Sequence, residues 1–222
     1  MPALGRTQLV DFIRHSASTM REEEFRRAYL NQWTRTDQKI IDYGAWVECR
    51  NPHRVIGERM VLAVDVNADR TAASTCAASR GSDGLVDIEL IDHHEGLSWV
   101  VPRVVELRDR HMPDKVLVDG SGPIGAFIPE LERAGVDLSI VSGAEMPRAA
   151  GSFYDSVMAR SLRVRPNDHL DNAVAGAAKR IRGDSFVWQR RTPTADISPL
   201  VCATLALWGI TGDSNNGAMW LF

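Results

Sequence analysis

The amino-acid sequence predicts an α/β fold in which helices flank a mixed β-sheet, made of a three-strand antiparallel meander and further parallel strands. Three strand-like segments follow one another after residue 59 with only short polar turns between them, as expected of antiparallel hairpins. Helical and strand-like segments then alternate, which indicates parallel strands joined by crossover helices.

The three segments of the predicted meander differ in the strength of their pattern. RMVLAVDV is a short apolar run, rich in β-branched residues, that ends next to an acid and is typical of a buried strand. RTAASTCAAS is a weaker candidate, because it has no clear alternation. A GSDG turn then precedes LVDIELIDHH, whose alternating apolar and polar residues predict the third strand.

Helices and strands alternate in the next part of the chain. SWVVPRVVELRDRH has a helical pattern, with Pro102 in the first turn, where proline is tolerated. KVLVDG predicts a strand, PIGAFIPELERAG a helix, and VDLSIVS a fifth strand. The resulting order is ribonuclease H-like, whereas an all-parallel nucleotide-binding domain would have a helix between its first strands.

The remainder of the chain is predicted to be mostly helical. MPRAAGSFYDSVMARSL and HLDNAVAGAAKRI are helix candidates, and DSFVWQRRTPTAD has room for a short hairpin. ISPLVCATLALWG is a strongly apolar helix that we expect to stop at Gly209, since glycine commonly ends helices.

These patterns divide the chain into three regions. Residues 1–58 are rich in Arg, Glu and Gln and contain too little apolar surface for a separate core, so we interpret them as a helical arm or linker. Residues 59–210 are the predicted ribonuclease H-like domain, and residues 211–222 a flexible tail.

Composition limits the classes of protein to consider. The formal net charge of −3 argues against a protein that simply coats nucleic acid, but it allows a local basic face beside acidic ligands. The three cysteines, Cys49, Cys76 and Cys202, are far apart and lack CxxC spacing, which argues against a disulfide framework or a zinc-thiolate site. No apolar run approaches the roughly 20 residues needed to span a bilayer, and the N-terminus lacks the apolar region of a signal peptide, so we expect a soluble, intracellular protein.

Two aspartates end two of the apolar strands. Asp65 follows VLAV and Asp119 follows KVLV. A turn-capping carboxylate would explain either one alone. If the two strands are parallel neighbours, however, their carboxyl ends meet at one sheet edge and the two acids repel each other, which a divalent cation would relieve.

Asp196 precedes the last apolar helix, in DISPLVCATLALWG. Capping and the helix dipole favour aspartate at a helix start by roughly 0.5–2 kcal/mol, so this residue has an explanation that needs no metal. The helix behind it is apolar on nearly all sides and must be buried, which would bring Asp196 toward the sheet edge that carries Asp65 and Asp119.

Three carboxylates that offer only oxygen ligands suit Mg²⁺ or Mn²⁺. Two such ions about 4 Å apart activate a water and stabilise the leaving oxygen of a phosphodiester. Asn67 and Asp69 are candidate secondary ligands, although turn formation explains both.

Basic residues are concentrated between residues 147 and 191, where four acids are also found. Such a group predicts salt-dependent binding to DNA phosphates, with ordinary solvated helix surface as the alternative. The nine members are Arg148, Arg160, Arg163, Arg165, Lys179, Arg180, Arg182, Arg190 and Arg191.

Two further motifs allow other interpretations. GSGPIG, with Gly120, Gly122 and Gly125, has the GxGxxG spacing of a dinucleotide-binding oxidoreductase. The motif follows a middle strand, however, and its proline removes a backbone amide that would contact pyrophosphate. The DHH sequence from Asp92 to His94 contains metal-binding residue types, but adjacent strand residues point to opposite faces, so a strand end is the simpler explanation.

VLAVDVNADRT, KVLVDGSGPIG and DISPLVCATLALWG together resemble the three acidic motifs of the C-terminal nuclease domain of tailed-bacteriophage terminase large subunits. EEFRRAYLNQW resembles the segment that joins this nuclease to the packaging ATPase, and HLDNAVAGAAKRI with FVWQRR also fits. The resemblance covers about residues 20–210 and is most specific in the last motif.

The resemblance implies a metal-dependent endonuclease that cuts concatemeric phage DNA during genome packaging. It implies that Asp65, Asp119 and Asp196 are catalytic and bind two Mg²⁺ or Mn²⁺ ions. It also implies double-stranded DNA, the packaging ATPase domain, the small terminase subunit and the portal as partners, in the cytoplasm of the host bacterium, away from any membrane. A non-catalytic DNA-binding or assembly module with the same fold is the alternative. Because the family's ATPase domain is absent from this sequence, we expect either a nuclease fragment or a split or truncated gene.

Overall fold

The structure is a computed structural model that describes residues 40–192 and 195–216. The described part contains six α-helices, eight β-strands and one 3₁₀ helix. In chain order they are α1 (Tyr43–Cys49), β1 (Met60–Val66), β2 (Ala72–Arg80), β3 (Val86–Glu95), α2 (Val100–His111), β4 (Lys115–Asp119), a 3₁₀ helix (Pro123–Phe127), α3 (Ile128–Arg133), β5 (Leu138–Val141), α4 (Met146–Met158), β6 (Leu162–Val164), α5 (Asp168–Ala175), β7 (Lys179–Arg182), β8 (Ser185–Trp188) and α6 (Ser198–Asn216).

Six strands form one mixed sheet in the order β5-β4-β1-β2-β3-β6. Strands β1, β2 and β3 are antiparallel neighbours, whereas β4 is parallel to β1, β5 to β4, and β6 to β3. This arrangement confirms the predicted fold class. Strand β6 was not predicted, since its three residues are too few to give a recognisable pattern.

Helices cover both faces of the sheet. Helix α6 packs across β1 and β2 on one face, in a core that includes the fully buried Leu200 and Leu205. A second core on the other face contains Val104 of α2 and Leu131 of α3. Every residue of β2 except Arg80 is buried, which explains why the strand lacks the alternation of a half-exposed strand.

The last helix does not stop at Gly209, contrary to the prediction, but continues to Asn216. A Cβ atom at Gly209 would lie 2.5 Å from Leu117 Cδ1, so this glycine permits close packing of α6 on β4 and does not cap the helix. The predicted tail is therefore helical at residues 211–216, and residues 217–222 lie outside the described residues.

The segment HLDNAVAGAAKRI was predicted to be one helix and is not. Helix α5 ends at Ala175, and Lys179–Arg182 forms β7, which pairs with β8 in a separate two-stranded hairpin. Gly176 is the C-cap of this helix and has an ordinary negative φ of −94°. The predicted hairpin thus exists but begins several residues earlier than expected.

The predicted arm of residues 1–58 is described only from residue 40 onward. In that part, Trp46 and Cys49 of α1 are fully buried, and the Trp46 ring lies 6.4 Å from that of Phe153 in α4. Helix α1 therefore contributes side chains to the core that also contains α4. No helix in the described ranges is both long and apolar enough to cross a bilayer.

Candidate metal centre

Asp65 and Asp119 lie at the carboxyl ends of neighbouring parallel strands. Strand β4 pairs with β1 up to Val64 opposite Val118, and the two aspartates follow directly. The exposed fraction is 0% for Asp65 and 3% for Asp119. The structure therefore brings these two predicted site residues together, as expected from the direction of the strands.

Arg190 connects the two carboxylates. Its Nη1 donates to Asp65 Oδ2 at 2.7 Å, and its Nη2 donates to Asp65 Oδ1 at 3.0 Å and to Asp119 Oδ2 at 2.8 Å. Because one nitrogen contacts both side chains, Asp65 Oδ1 and Asp119 Oδ2 can be separated by no more than the sum of these two distances, about 5.8 Å. A single cation already bridges the pair.

The protonation of this cluster is governed by burial and by its neighbours. Burial, with a smaller effect of the negative charges of Asp119 and Asp196, raises the pKa of Asp65 to about 6, against the opposing effect of Arg190. Burial alone would lower the pKa of Arg190, but the two carboxylates raise it above its ordinary value. Arg190 is therefore charged at any physiological pH.

The GSGPIG loop folds closely around Asp119. The backbone N–H and the hydroxyl of Ser121 both donate to Asp119 Oδ1, at 2.9 and 2.7 Å. A Cβ atom at Gly122 would lie 2.8 Å from Arg190 Nη2 and 2.8 Å from Asp119 Oδ2. A Cβ at Gly120 would lie 2.5 Å from Ile140 Cγ2. Close packing against Asp119 and Arg190 thus explains Gly122, and close packing against Ile140 of β5 explains Gly120, with no need for a dinucleotide.

Asp196 lies near the pair but is bound elsewhere. Its Oδ2 accepts a hydrogen bond from Asn67 Nδ2 at 2.9 Å, and its Oδ1 accepts one from the Ser198 N–H at 2.8 Å, at the start of α6. In residues 40–192 and 195–216, no three or more His, Cys, Asp or Glu side chains are arranged to hold one ion. The structure thus joins two of the three predicted acids and leaves the third beside them.

Asp65 and Asp119 are arranged as ligands of a divalent cation would be, but Asp196 is not. Asp65 and Asp119 provide buried oxygen ligands that already surround a positive group, which is the environment a hard cation requires. The guanidinium of Arg190 stands in for that cation. Asp196 would have to turn away from Asn67 or Ser198 to become a ligand of the same ion.

The two candidate secondary ligands have other roles in the structure. Asn67 Oδ1 accepts from the backbone N–H groups of Thr71 and Ala72, at 2.8 and 3.2 Å, so its side chain closes the β1–β2 turn. Asp69 is 73% exposed, and its Oδ1 lies 3.8 Å from Arg191 Nε.

The residues of the DHH sequence have separate partners. An irregularity in the β2–β3 pairing precedes Asp92, which accepts a hydrogen bond from Arg103 Nε at 2.9 Å. His93 Nδ1 lies 3.0 Å from the hydroxyl oxygen of Ser74, and the His94 ring packs edge-on against Trp99.

His93 was not predicted as part of the site but lies close to it. Ser74, its hydrogen-bonding partner, pairs with Asp65 across the sheet, and the Ser74 hydroxyl lies 2.9 Å from that of Ser198. The His93 ring is 4.5 Å from that of His169, and burial lowers the pKa of His93. The edge-to-edge order of β1, β2 and β3 explains this proximity, which the sequence alone does not reveal.

The nine predicted DNA-binding residues have different surroundings in the structure. Arg180, Arg182 and Arg190 line a cavity of about 220 Å³ that also contacts Asp119 and Ser121. Arg191 lies close to Asp69, as described above.

The remaining five basic residues are committed to other contacts. Two of them form ion pairs, Arg160 with Glu48 and Arg165 with Glu89. Arg163 donates hydrogen bonds to backbone carbonyl groups. The other two lie over aromatic rings, Lys179 over Tyr154 and Phe186, and Arg148 over Trp208. Strand β6, which carries Arg163, pairs with the amino-terminal half of β3, away from the carboxylates.

No protein-family model and no curated protein matches this chain. Several solved structures do match it. The HK97 bacteriophage large terminase has a TM-score of 0.63 and 16% identity, over 94% of this chain and 52% of its own. The large terminase nuclease of thermophilic phage G20c has a TM-score of 0.61 and 12% identity, over 78% of this chain and 98% of its own.

A mutant nuclease domain of the Sf6 large terminase, solved with manganese, has a TM-score of 0.57 and 11% identity, over 76% of this chain and 98% of its own. The chain thus spans about half the length of the HK97 protein and nearly all of the G20c nuclease. It has the ribonuclease H-like fold of phage large terminase nuclease domains, as the resemblance in sequence predicted.

Proposed function

We propose that this chain is a divalent-metal-dependent DNA endonuclease that cuts concatemeric phage DNA during genome packaging. The observation that carries the proposal is the pair Asp65 and Asp119, two buried carboxylates that share one cation at the carboxyl ends of β1 and β4. Ligand sites in open α/β sheets are found at this end of the strands. The fold, shared with terminase nucleases solved with magnesium or manganese, supports the same conclusion.

Each acid would have a distinct part in holding the metal. Asp65 is fixed in the sheet and fully buried, and Asp119 is oriented by the two hydrogen bonds from Ser121. Asp196 would complete the set by rotating away from Asn67. When bound, two Mg²⁺ or Mn²⁺ ions would activate a water and stabilise the leaving oxygen of a phosphodiester.

The DNA would lie along the cavity beside Asp119. Arg180 and Arg182 line that cavity and would contact phosphates without reading the base sequence. As the nuclease part of a terminase, the chain would act on double-stranded DNA with a packaging ATPase domain, a small terminase subunit and a portal, in the cytoplasm of the host bacterium.

Plasmid nicking tests the proposal. The chain should nick supercoiled DNA with Mg²⁺ or Mn²⁺, and Asp65→Asn or Asp119→Asn should abolish nicking while circular dichroism shows the fold retained. Asp109→Asn, which changes a largely exposed acid of α2, is the matched control and should nick normally. Undiminished nicking by either folded active-site variant would refute the proposal.

One observation favours a second function, a DNA-binding or assembly module without nuclease activity. Arg190 fills the cation position, and Asp196 is bound elsewhere. Such a module would bind DNA with a steep salt dependence, take up no divalent metal at the two aspartates and leave plasmid DNA intact.

A further inference from the structure

Arg190 holds Asp65 and Asp119 through the oxygen atoms that a metal ion would need. We propose that Arg190 is an internal competitor of the metal: its guanidinium occupies the cation position in the metal-free protein and must leave when a divalent ion binds. This inference rests on the proposed function, because it concerns the loading of the same site.

All four carboxylate oxygen atoms of Asp65 and Asp119 accept hydrogen bonds. Both oxygens of Asp65 and the Oδ2 atom of Asp119 accept hydrogen bonds from Arg190, at 2.7 to 3.0 Å. The remaining Asp119 oxygen accepts two from Ser121. A Mg²⁺ ion binds oxygen at about 2.0–2.1 Å, so an ion bridging the two side chains would occupy the space now filled by Arg190 Nη2.

Electrostatic repulsion also prevents Arg190 and a divalent ion from occupying the site together. A guanidinium and a divalent ion repel each other, and the repulsion is strong where water is largely excluded. An arginine side chain keeps its charge in proteins, so Arg190 cannot relieve this repulsion by losing its proton. It has to move.

The cavity beside the site offers room for that movement. Arg190 lines the cavity of about 220 Å³ together with Arg180 and Arg182, and 22% of its side chain is exposed. Withdrawal into this space would bring three guanidinium groups close together, an arrangement that a DNA phosphate would stabilise. Metal in the site and phosphate in the cavity therefore favour the same position of Arg190, so each should strengthen binding of the other.

Titration calorimetry with Mn²⁺ tests the competition directly, without a measurement of activity. Arg190→Gln should bind Mn²⁺ about tenfold more tightly than the wild type or better, because charge-assisted hydrogen bonds no longer oppose the ion. Arg165→Gln is the matched control: Arg165 pairs with Glu89, contacts neither carboxylate and does not line the cavity, so this variant should bind Mn²⁺ like the wild type. Equal or weaker Mn²⁺ binding by Arg190→Gln would overturn the proposal.

Thermal unfolding separates competition from a purely structural ion pair. In EDTA, Arg190→Gln should melt below the wild type, since two buried carboxylates lose their cation. In Mn²⁺ the gap should close, whereas a structural role would leave it unchanged and refute the competition. If Arg190→Gln does not fold, Arg190→Lys, which keeps the charge but loses the two-pronged contact, should show the same tightening to a smaller degree. Failure of both variants to tighten would count against competition.

Mn²⁺ affinity and plasmid nicking together distinguish a failure of the competition from a failure of the proposed nuclease function. Equal Mn²⁺ affinities, together with normal plasmid nicking, would reject the competitor and keep the nuclease. Absence of both Mn²⁺ binding and nicking, in the wild type and in the variants, would reject both.

Discussion

Stability should depend on pH through Asp65, in a direction opposite to that of most carboxylates. Burial raises the pKa of this side chain from its ordinary value of 3.8 to about 6 in the folded protein. In the metal-free protein, Asp65→Asn removes this titration while it keeps the shape of the side chain. The difference between the two proteins therefore isolates the contribution of Asp65.

The sign and size of the effect follow from the raised pKa. Below about pH 4 the carboxyl is protonated in both the folded and the unfolded chain, and its full contribution is present. Between about pH 4 and 6 only the folded state keeps the proton, so the free energy of unfolding falls as pH rises. A shift of roughly 2 pKa units, at about 1.4 kcal/mol per unit, corresponds to a loss of about 3 kcal/mol.

Urea unfolding in EDTA between about pH 4.5 and 7.5 measures this difference. The stability of the wild type, relative to Asp65→Asn, should decline up to about pH 6 and then level off. Asp109→Asn should run parallel to the wild type across the range, since its side chain is 61% exposed. If the stability of the wild type relative to Asp65→Asn rises with pH, the reasoning is refuted. The charge of Arg190 would then outweigh burial and hold the pKa of Asp65 below its ordinary value.

Two further predictions concern packing and DNA binding. Gly209→Ala places a methyl group against Leu117 and should lower the free energy of unfolding by about 1 kcal/mol in urea, since overpacking outweighs the gain in helix propensity. Gly212→Ala, in the same helix with nothing within 4 Å, should instead stabilise the protein, and an equal loss at both positions would contradict this packing argument. Arg180→Gln should weaken binding to duplex DNA and reduce the slope of log affinity against log salt by about 0.9, as measured by fluorescence anisotropy. Arg165→Gln, which breaks only the pair with Glu89, should leave the slope unchanged; a loss of slope there would argue against the cavity as the phosphate site.

The parts of the fold that follow from local pattern were predictable. Strands β1, β3 and β4 have distinct apolar or alternating sequences, and the convergence of Asp65 and Asp119 follows from the shared direction of β1 and β4. Strand β6 was missed because its three residues give no period. The prediction for Gly209 was wrong because the sequence does not distinguish a glycine that ends a helix from one that allows a neighbouring side chain to pack closely.

The contacts of the site depend on residues far apart in the chain. Arg190 lies 125 residues from Asp65 and 71 from Asp119, so no spacing in the sequence links it to either acid. The number of basic residues between 147 and 191 indicates the charge of this segment but not which of them share a surface. Strand β6, with Arg163, belongs to the six-stranded sheet, whereas β7, with Arg180 and Arg182, belongs to the separate hairpin. The sequence predicted Arg190 only as a DNA contact, and its hydrogen bonds to the two carboxylates were not predicted.

The small side chains of β2 set the distance between α6 and the sheet. Cys76 and Ala78 face the core that contains α6, and the hydroxyl of Ser74 meets that of Ser198 at 2.9 Å. Asp196 immediately precedes α6, so the thickness of this packing layer fixes how far the third acid stands from the pair. A larger residue at Ala78 would move α6 away from the sheet. It would thereby increase the distance from Asp196 to Asp65 and Asp119 without any change to the three aspartates. The side-chain volume of β2 is thus expected to influence the position of Asp196 relative to Asp65 and Asp119, and with it the affinity of the proposed metal site.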